Sequence, residues 1–307
     1  MSAQHLQPSE GERGLATYDP EDLAALLAAA WDGFLEVVDH VELEAPSRLA
    51  GWRAHDVCVH LGSWPGHRSM QRLVEEARGG KPPGTYDQDG HNAALVEAHR
   101  DASRRQVVAS LRRARDEVAE FLCSAEAAEF GLRPVRSMLG PLPLLTVVGA
   151  ACYELAVHAL DLAPAGAPDP PARLLDAGLA AVTDVTGALA VRCGIDATVG
   201  VLSPEGGWAF GTSGPSWTTL NLPVVPPTWP TVEAPAAILL DASAGRRHIP
   251  LLLAKRELRL HHVAGLLALA PIVEAVPDLP GGHALVGAVR HLGGVSRFVR
   301  RLPGLGG

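Results

Sequence analysis

The sequence predicts an N-terminal all-α helical bundle over residues 15–193, followed by a smaller α+β domain over residues 194–276. Two observations support this fold class. Up to residue 191, long segments carry apolar side chains at helical spacing, separated by breaks rich in proline and glycine. After Gly194 the pattern changes to short β-like runs bounded by turn residues. We expect the remaining residues, 277–307, to form a C-terminal tail.

The first predicted helix has a clear start signal. Asp19 can cap it, and Pro20 suits the first helical position because that position needs no backbone N–H. The second predicted helix covers residues 53–77, with a kink at Pro65. The first helix should end near residue 41, a loop is predicted at 79–90, and further helical segments are predicted at 92–100, 103–121, 141–162 and 171–191.

The predicted second domain begins with a hairpin. Residues 205–207, Glu-Gly-Gly, separate the first two of three β-like runs and favour a tight turn. A proline-rich segment then leads into apolar segments that fit either helix or strand. The β-like runs are residues 198–202, 208–211 and 218–222, and the apolar segments are 236–244, 249–254 and 263–276.

The composition is that of a folded, water-soluble protein. The chain has 307 residues, enough for two cores, with 47% hydrophobic and 20% charged residues. Its net charge of −8 disfavours binding to nucleic acid or to anionic membranes, which requires clustered Lys and Arg. We therefore expect neither as a partner, and a monomer or weak dimer.

Several features favour the cytoplasm. The first 14 residues are polar, so they do not predict a secretory signal. The longest uncharged run, residues 137–153, is short and interrupted by prolines, which argues against a membrane span. The four cysteines form no C-x-x-C pair and predict neither a disulfide framework nor a cysteine zinc site. Cys58 and Cys152 are interpreted as small buried residues rather than nucleophiles.

The helix predicted at residues 141–162 carries the most informative residues. It is almost wholly apolar, which predicts burial, yet it contains Glu154, His158 and Asp161. A buried carboxylate needs a compensating partner, so Glu154 should have one. Glu154 and His158 are four residues apart and share one helix face, where both could bind one metal ion. A Glu–His hydrogen bond, or a salt bridge from Glu154 to an arginine, fits the same spacing.

Two motifs together resemble a known family. Residues 51–62 read G-W-x-x-x-D-V-x-x-H-L-G and place His60 on an apolar segment. Residues 154–162 read E-L-A-V-H-A-L-D-L. This combination is similar to the mycothiol-dependent maleylpyruvate isomerase family. The resemblance implies a DinB-like four-helix bundle with a sterol-carrier-like α+β domain after it. It also implies a divalent metal, expected to be zinc, bound by His60, Glu154 and His158.

The resemblance suggests two further site residues. Arg246, in a Gly-Arg pair that family members also carry, would bind a substrate carboxylate. Asp161 could orient a liganding histidine from one turn further along the helix. A surface arginine and a solvent-facing helix end are the ordinary alternatives. His55, His67 and His91 are additional candidates.

The sequence also departs from the family. Members usually have a small hydroxyl residue where Arg53 stands, and few have a proline like Pro65 in this helix. Both differences concern the segments on either side of His60. We therefore expect them to alter the local geometry of the substrate pocket.

The implied activity uses mycothiol as a thiol cofactor. A bound metal would deprotonate the thiol, which would add to an electrophilic small molecule, such as an anionic ketoacid, giving cis–trans isomerisation or thiol transfer. The competing hypothesis is a non-catalytic protein that carries a hydrophobic ligand in its C-terminal domain, in a pocket lined by leucines. Those leucines are Leu239, Leu240, Leu251, Leu252, Leu253, Leu266 and Leu267.

Overall fold

The computed structural model describes residues 5–79, 87–204 and 206–276. Helices dominate the first part of the chain and a sheet follows, which confirms the predicted fold class. The predicted tail, 277–307, lies outside the described residues. Helices in the first part are α1 (Pro20–Asp39), α2 (Ala54–Leu61), α3 (Ser69–Gly79), α4 (Gln88–Ala98), α5 (Arg104–Leu122), α6 (Ala125–Phe130), α7 (Leu144–Asp161) and α8 (Ala172–Arg192). A short antiparallel pair, β1 (Pro134–Val135) and β2 (Leu142–Pro143), precedes α7.

Helix α1 begins as its sequence predicts. The Asp19 side chain accepts a hydrogen bond from the backbone N–H of Glu21, and Pro20 occupies the first helical position. Its apolar face packs into the bundle, where α1, α2, α5 and α7 surround a common core. Leu23, Leu27 and Phe34 are among the buried residues that α1 contributes to this core.

The second predicted helix is two helices, so the prediction of one kinked helix over residues 53–77 is wrong. Helix α2 ends at Leu61, and a turn at residues 64–67 separates it from α3. The His67 N–H donates to the Trp64 carbonyl at 2.9 Å, and Gly66 has φ +83°. Proline followed by a left-handed glycine is the signature of a type II turn, which reverses the chain where a kink would only have bent it.

The C-terminal part contains a five-stranded sheet in the order β5-β4-β3-β6-β7. All neighbouring strands are antiparallel except β3 and β6, which are parallel. The predicted hairpin lies between β3 and β4, with Glu205 outside the described residues, while β6 and β7 were not predicted. The elements are β3 (Thr198–Ser203), β4 (Gly206–Ser213), β5 (Ser216–Leu222), β6 (Thr231–Glu233), α9 (Ala236–Ser243), α10 (Ile249–Ala254), β7 (Arg259–His261), α11 (Val263–Leu266) and α12 (Ala270–Ala275).

Helix α8 is shared by the two parts. It packs against α1 and α7 of the bundle and also against β4 and β5 of the sheet. Gly178 lies where α8 approaches α7 closely, and a Cβ there would meet the Cβ of Ala156 at 2.6 Å. The predicted boundary at residue 193 therefore follows directly after a helix that contacts both parts.

The N-terminal segment crosses onto the sheet. The Leu6 N–H donates to Thr198 Oγ1 at 2.9 Å, and the Tyr18 hydroxyl donates to the Thr219 carbonyl. Beneath it, Oδ1 of the buried Asp184 accepts from the Leu15 N–H, the Trp217 indole and the Thr219 hydroxyl. One carboxylate of α8 thus joins the N-terminal segment to β5.

Helices α7 and α8 are long and apolar enough to cross a membrane by length and composition alone. Most of each helix is buried against the rest of the fold, however, and core helices commonly have this composition. Glu154, His158 and Asp161 all lie in the C-terminal half of α7.

Candidate metal centre

His60, Glu154 and His158 come together inside the bundle. The Glu154 Oε2 atom lies 3.5 Å from His158 Nε2 and 3.9 Å from His60 Nε2. Each residue offers one ligand atom, and these atoms all lie within 4.8 Å of one another. Among the described residues, no other group of three or more His, Cys, Asp or Glu side chains meets this spacing.

The donor set and its spacing fit a tetrahedral divalent ion such as zinc. Two ligand atoms at about 2.1 Å from such an ion lie roughly 3.4 Å apart, and the rings of two liganding histidines are about 5 Å apart. The observed ligand-atom distances of 3.5 and 3.9 Å approach the first value. The ring centroids of His60 and His158 are 5.2 Å apart, close to the second. The two carboxylate–imidazole distances are therefore close to those expected around one bound ion.

Glu154 is less buried than its apolar helix suggests. Its side chain is 45% exposed, against 12% for His60 and 9% for His158. The expectation of a deeply buried carboxylate is therefore wrong as far as solvent exposure goes. Desolvation still raises the pKa of Glu154, but the contacts with His158 and His60 outweigh it and lower that pKa. The partly exposed carboxylate marks the side of the site that faces solvent.

Helix α2 places His60 one residue before its C-terminal end. At its start, the Asp56 side chain accepts the Arg53 N–H at 2.9 Å and binds the Arg53 guanidinium at 3.0 Å. Burial alone would raise the pKa of Asp56, but the hydrogen bonds from Arg53 and His55 hold it below its usual value. At the start of α2, where the family resemblance leads us to expect a hydroxyl side chain as the cap, Arg53 instead forms an ion pair with Asp56. The edge of Trp52 packs near His60, with 5.8 Å between ring centroids.

Behind His158 lies the fully buried Asp161. Its Oδ2 is 3.1 Å from His158 Nδ1, so a proton on Nδ1 leaves Nε2 directed at Glu154 and His60. Burial alone would lower the pKa of His158, but hydrogen bonds to Asp161 and Glu154 outweigh it and raise that pKa to about 9. The structure thus gives Asp161 the contact that an orienting residue requires.

The guanidinium of Arg246 also binds Asp161. Its Nε lies 3.2 Å from Oδ1 and its Nη2 lies 3.2 Å from Oδ2 of the carboxylate. This fork-to-carboxylate contact leaves Nη1, which is 3.4 Å from the Ala244 carbonyl. Arg246 is therefore close to the site, but two of its nitrogens already have an anionic partner.

The remaining sequence candidates lie elsewhere. His55 is buried in the first turn of α2, with Nε2 2.8 Å from the Ala102 carbonyl, which is a structural contact. His67 and His91 lie in a separate group of rings, 5.9 Å apart, and His67 is 6.1 Å from His99. Of the leucines expected to line a pocket, Leu239, Leu240 and Leu252 are core residues and Leu251 is 51% exposed.

Both candidate nucleophilic cysteines are buried. Burial raises the pKa of Cys58 and that of Cys152 to about 12. Neither thiol would ionise at neutral pH. This agrees with their interpretation as small core residues.

Sequence reasoning missed two residues near the site. Arg48 precedes α2 and lies between Asp161 and Asp241 of α9, with Nη1 3.0 Å from Asp241 Oδ1. Arg48 lies in an irregular segment outside both motifs, so no local pattern marked it. Asp241 follows two leucines and carried no signal either.

Comparison with known proteins agrees with this geometry. The helical bundle, in which two histidines and a glutamate face one another, agrees with the DinB-like class expected from the sequence. Within it, residues 23–163 match the family described as mycothiol maleylpyruvate isomerase N-terminal domain. The matched residues include both motifs, so the match confirms the resemblance seen there.

Solved structures give a second comparison. A crystal structure of the mycothiol-dependent maleylpyruvate isomerase is 17% identical, covers 76% of this chain and 92% of its own, and has a TM-score of 0.49. A structure of a histidine-to-alanine mutant of that enzyme has the same identity and coverage and a TM-score of 0.47. No curated protein matches the chain. The family assignment therefore depends on the family model.

Proposed function

We propose that this protein is a cytoplasmic, metal-dependent enzyme that uses mycothiol to act on an electrophilic small molecule. The observation that carries the proposal is the convergence of His60, Glu154 and His158, from two separate helices, at the spacing of one metal ion. The match of residues 23–163 to the mycothiol maleylpyruvate isomerase N-terminal domain supports the choice of thiol.

Three side chains would hold a divalent ion, expected to be zinc, and leave one side open. When bound, the ion would supply Lewis acidity that lowers the pKa of a coordinating thiol. His60 and His158 would bind through Nε2 and Glu154 through its carboxylate. Asp161 would hold the Nδ1 proton of His158, and so keep Nε2 available for the metal.

The proposed reaction begins with addition of the thiol sulfur to a carbon of a cis enone. A new C–S bond forms, and the electron pair of the double bond moves toward the carbonyl oxygen. The former double bond can then rotate, and breaking the C–S bond gives the trans product and returns the thiol. Release of the adduct instead would make the protein a transferase.

Arg246 is proposed to contribute to binding an anionic substrate such as a ketoacid. Its partly exposed guanidinium is held in place by Asp161, which would fix its direction. Arg246→Lys keeps the charge but removes the fork, so it should raise KM more than it lowers kcat. An unchanged KM together with an unchanged zinc content would contradict this role.

Metal content tests the proposed function. Purified protein should contain about one zinc per chain by elemental analysis, and His60→Ala, Glu154→Ala and His158→Ala should each lose it. His40→Ala, at an exposed histidine beyond α1, is the matched control and should retain the metal. Metal-free, folded wild-type protein after growth with zinc would contradict the proposal and favour the ligand-carrier alternative.

The chemical step needs its own assay. Maleylpyruvate should be converted by the zinc-loaded protein only when mycothiol is present, and Glu154→Ala should be inactive. Conversion no faster than with free mycothiol would contradict the isomerase version. Appearance of a stable thiol adduct instead would identify a transferase.

A further inference from the structure

Arg48 links the bundle to the C-terminal part beside the candidate metal centre. Its Nη1 lies 3.0 Å from Asp241 Oδ1 on α9, and its Nε lies 4.0 Å from Asp161 Oδ1 at the end of α7. Its backbone N–H also donates to the Asp161 carbonyl at 2.9 Å. Arg48 is thus attached to α7 through main chain and side chain, and to α9 through its charge.

Asp241 has contacts on both sides. Its backbone carbonyl accepts the Arg246 N–H at 2.8 Å, which fixes the turn that presents the Arg246 side chain. Its Oδ2 is 3.5 Å from Arg247. No described donor has hydrogen-bond geometry toward Oδ1, so its contact with Arg48 is an ion pair without a directed hydrogen bond.

These contacts determine how Asp161 is held. The Asp161 side chain is fully buried, with Arg246 on both carboxylate oxygens and Arg48 nearer Oδ1. The same Oδ2 faces His158 Nδ1. Rotation of this carboxylate would break contacts with two guanidinium groups in a low-dielectric interior, where such contacts are strong. The orientation of His158 therefore depends on residues that do not touch it.

We propose that Arg48 and Asp241 are positioning residues for His158, so that docking of α9 against the bundle raises the metal affinity of the site. Arg48 and Arg246 hold Asp161 from two sides. The Asp241 carboxylate pairs with Arg48, while its backbone carbonyl accepts the Arg246 N–H. By linkage, a metal bound at His158 strengthens the docking of the C-terminal part by the same free energy. This inference rests on the proposed function only in that it assumes a metal at the site.

Zinc affinity tests the proposal on the full chain. Competition with a chromogenic chelator should show 3- to 10-fold weaker binding in Arg48→Met and in Asp241→Asn, less than the 10- to 100-fold typical of direct partners of a ligand. Arg48→Lys should lie between Arg48→Met and wild type because it retains the charge. Arg259→Met removes an exposed pair with Glu233 in the same part of the chain and should leave the affinity unchanged. Wild-type affinity in both Arg48→Met and Asp241→Asn would overturn the proposal.

A second measurement does not require metal. Long-range ¹H–¹⁵N NMR of metal-free protein reports how strongly His158 Nδ1 is hydrogen-bonded. Arg48→Met and Asp241→Asn should weaken the Nδ1 signature, whereas Arg259→Met should not. Unchanged His158 signals in both variants would refute the positioning role even if the wild type binds no zinc, which separates this failure from that of the proposed function.

Discussion

The ring of His60 lies edge-on to that of His158, with 5.2 Å between their centroids. One ring belongs to α2 and the other to α7, so the packing of these two helices determines whether they can share an ion. Asp161 fixes the second ring from behind. The first prediction follows from that contact.

Asp161→Asn should weaken zinc binding about 10- to 100-fold, because an amide holds the Nδ1 proton of His158 less well than a carboxylate. It should also destabilise the protein by about 3 kcal/mol, since Arg246 loses its partly buried anionic partner. Chelator competition and urea unfolding measure the two effects. Zinc affinity equal to wild type would show that Asp161 does not orient the ligand.

Asp184 should make stability depend on pH. Burial raises the pKa of Asp184 to about 6, and hydrogen bonds from Leu15, Trp217 and Thr219 only partly oppose this. Since the folded state holds the proton more tightly than the unfolded state, the contribution is most favourable below about pH 4 and is lost as pH rises through 6. The change amounts to ~3 kcal/mol across that window.

Asp184→Asn removes this titration while keeping an oxygen acceptor for the three donors. The difference in free energy of unfolding between variant and wild type should therefore change between pH 4 and pH 7, in favour of the variant at the higher pH. Urea unfolding at several pH values measures it. A constant difference across the range would show that Asp184 does not titrate there.

Two glycine substitutions in neighbouring helices should have opposite effects. Gly178→Ala places a Cβ 2.6 Å from that of Ala156, so α8 must move away from α7, at a cost of about 1–3 kcal/mol. Gly149→Ala in α7 meets nothing within 4 Å and should stabilise the protein by about 1 kcal/mol through helix propensity. Thermal unfolding compares them, and stabilisation by Gly178→Ala would contradict the close approach of these helices.

Thiol reagents should distinguish the cysteines by exposure. Cys123 is exposed and should react within minutes in folded protein, whereas Cys58 and Cys152 are buried and should react only on unfolding. Mass spectrometry after timed labelling reads each site. Labelling of Cys152 in folded protein as fast as that of Cys123 would mean that the core around Glu154 opens readily.

Local spacing and the family motifs predicted different parts of the site. Glu154 and His158 follow from their four-residue separation on one helix, but His60 required the family resemblance, because nothing in its own segment shows that α2 meets α7. Periodicity also misled: apolar spacing across residues 53–77 suggested one helix, although Pro65-Gly66 carries the turn signal that breaks it.

Other features depend on tertiary packing and could not be read locally. The solvent exposure of the Glu154 side chain depends on how the neighbouring elements pack around α7. The contacts of Arg48 and Asp241 arise only when α9 docks beside α7. Arg246 was found through the family's Gly-Arg pair, but its bond to Asp161 was visible only in the structure.

The position of α8 has a practical consequence for fragments of this protein. Helix α8 packs against β4 and β5 as well as against α1 and α7. Cutting the chain after Cys193 would therefore remove α8 from the sheet and expose the sheet face that it covers to solvent. A sheet fragment expressed alone should aggregate through that face. A fragment of either part of the chain should therefore include α8.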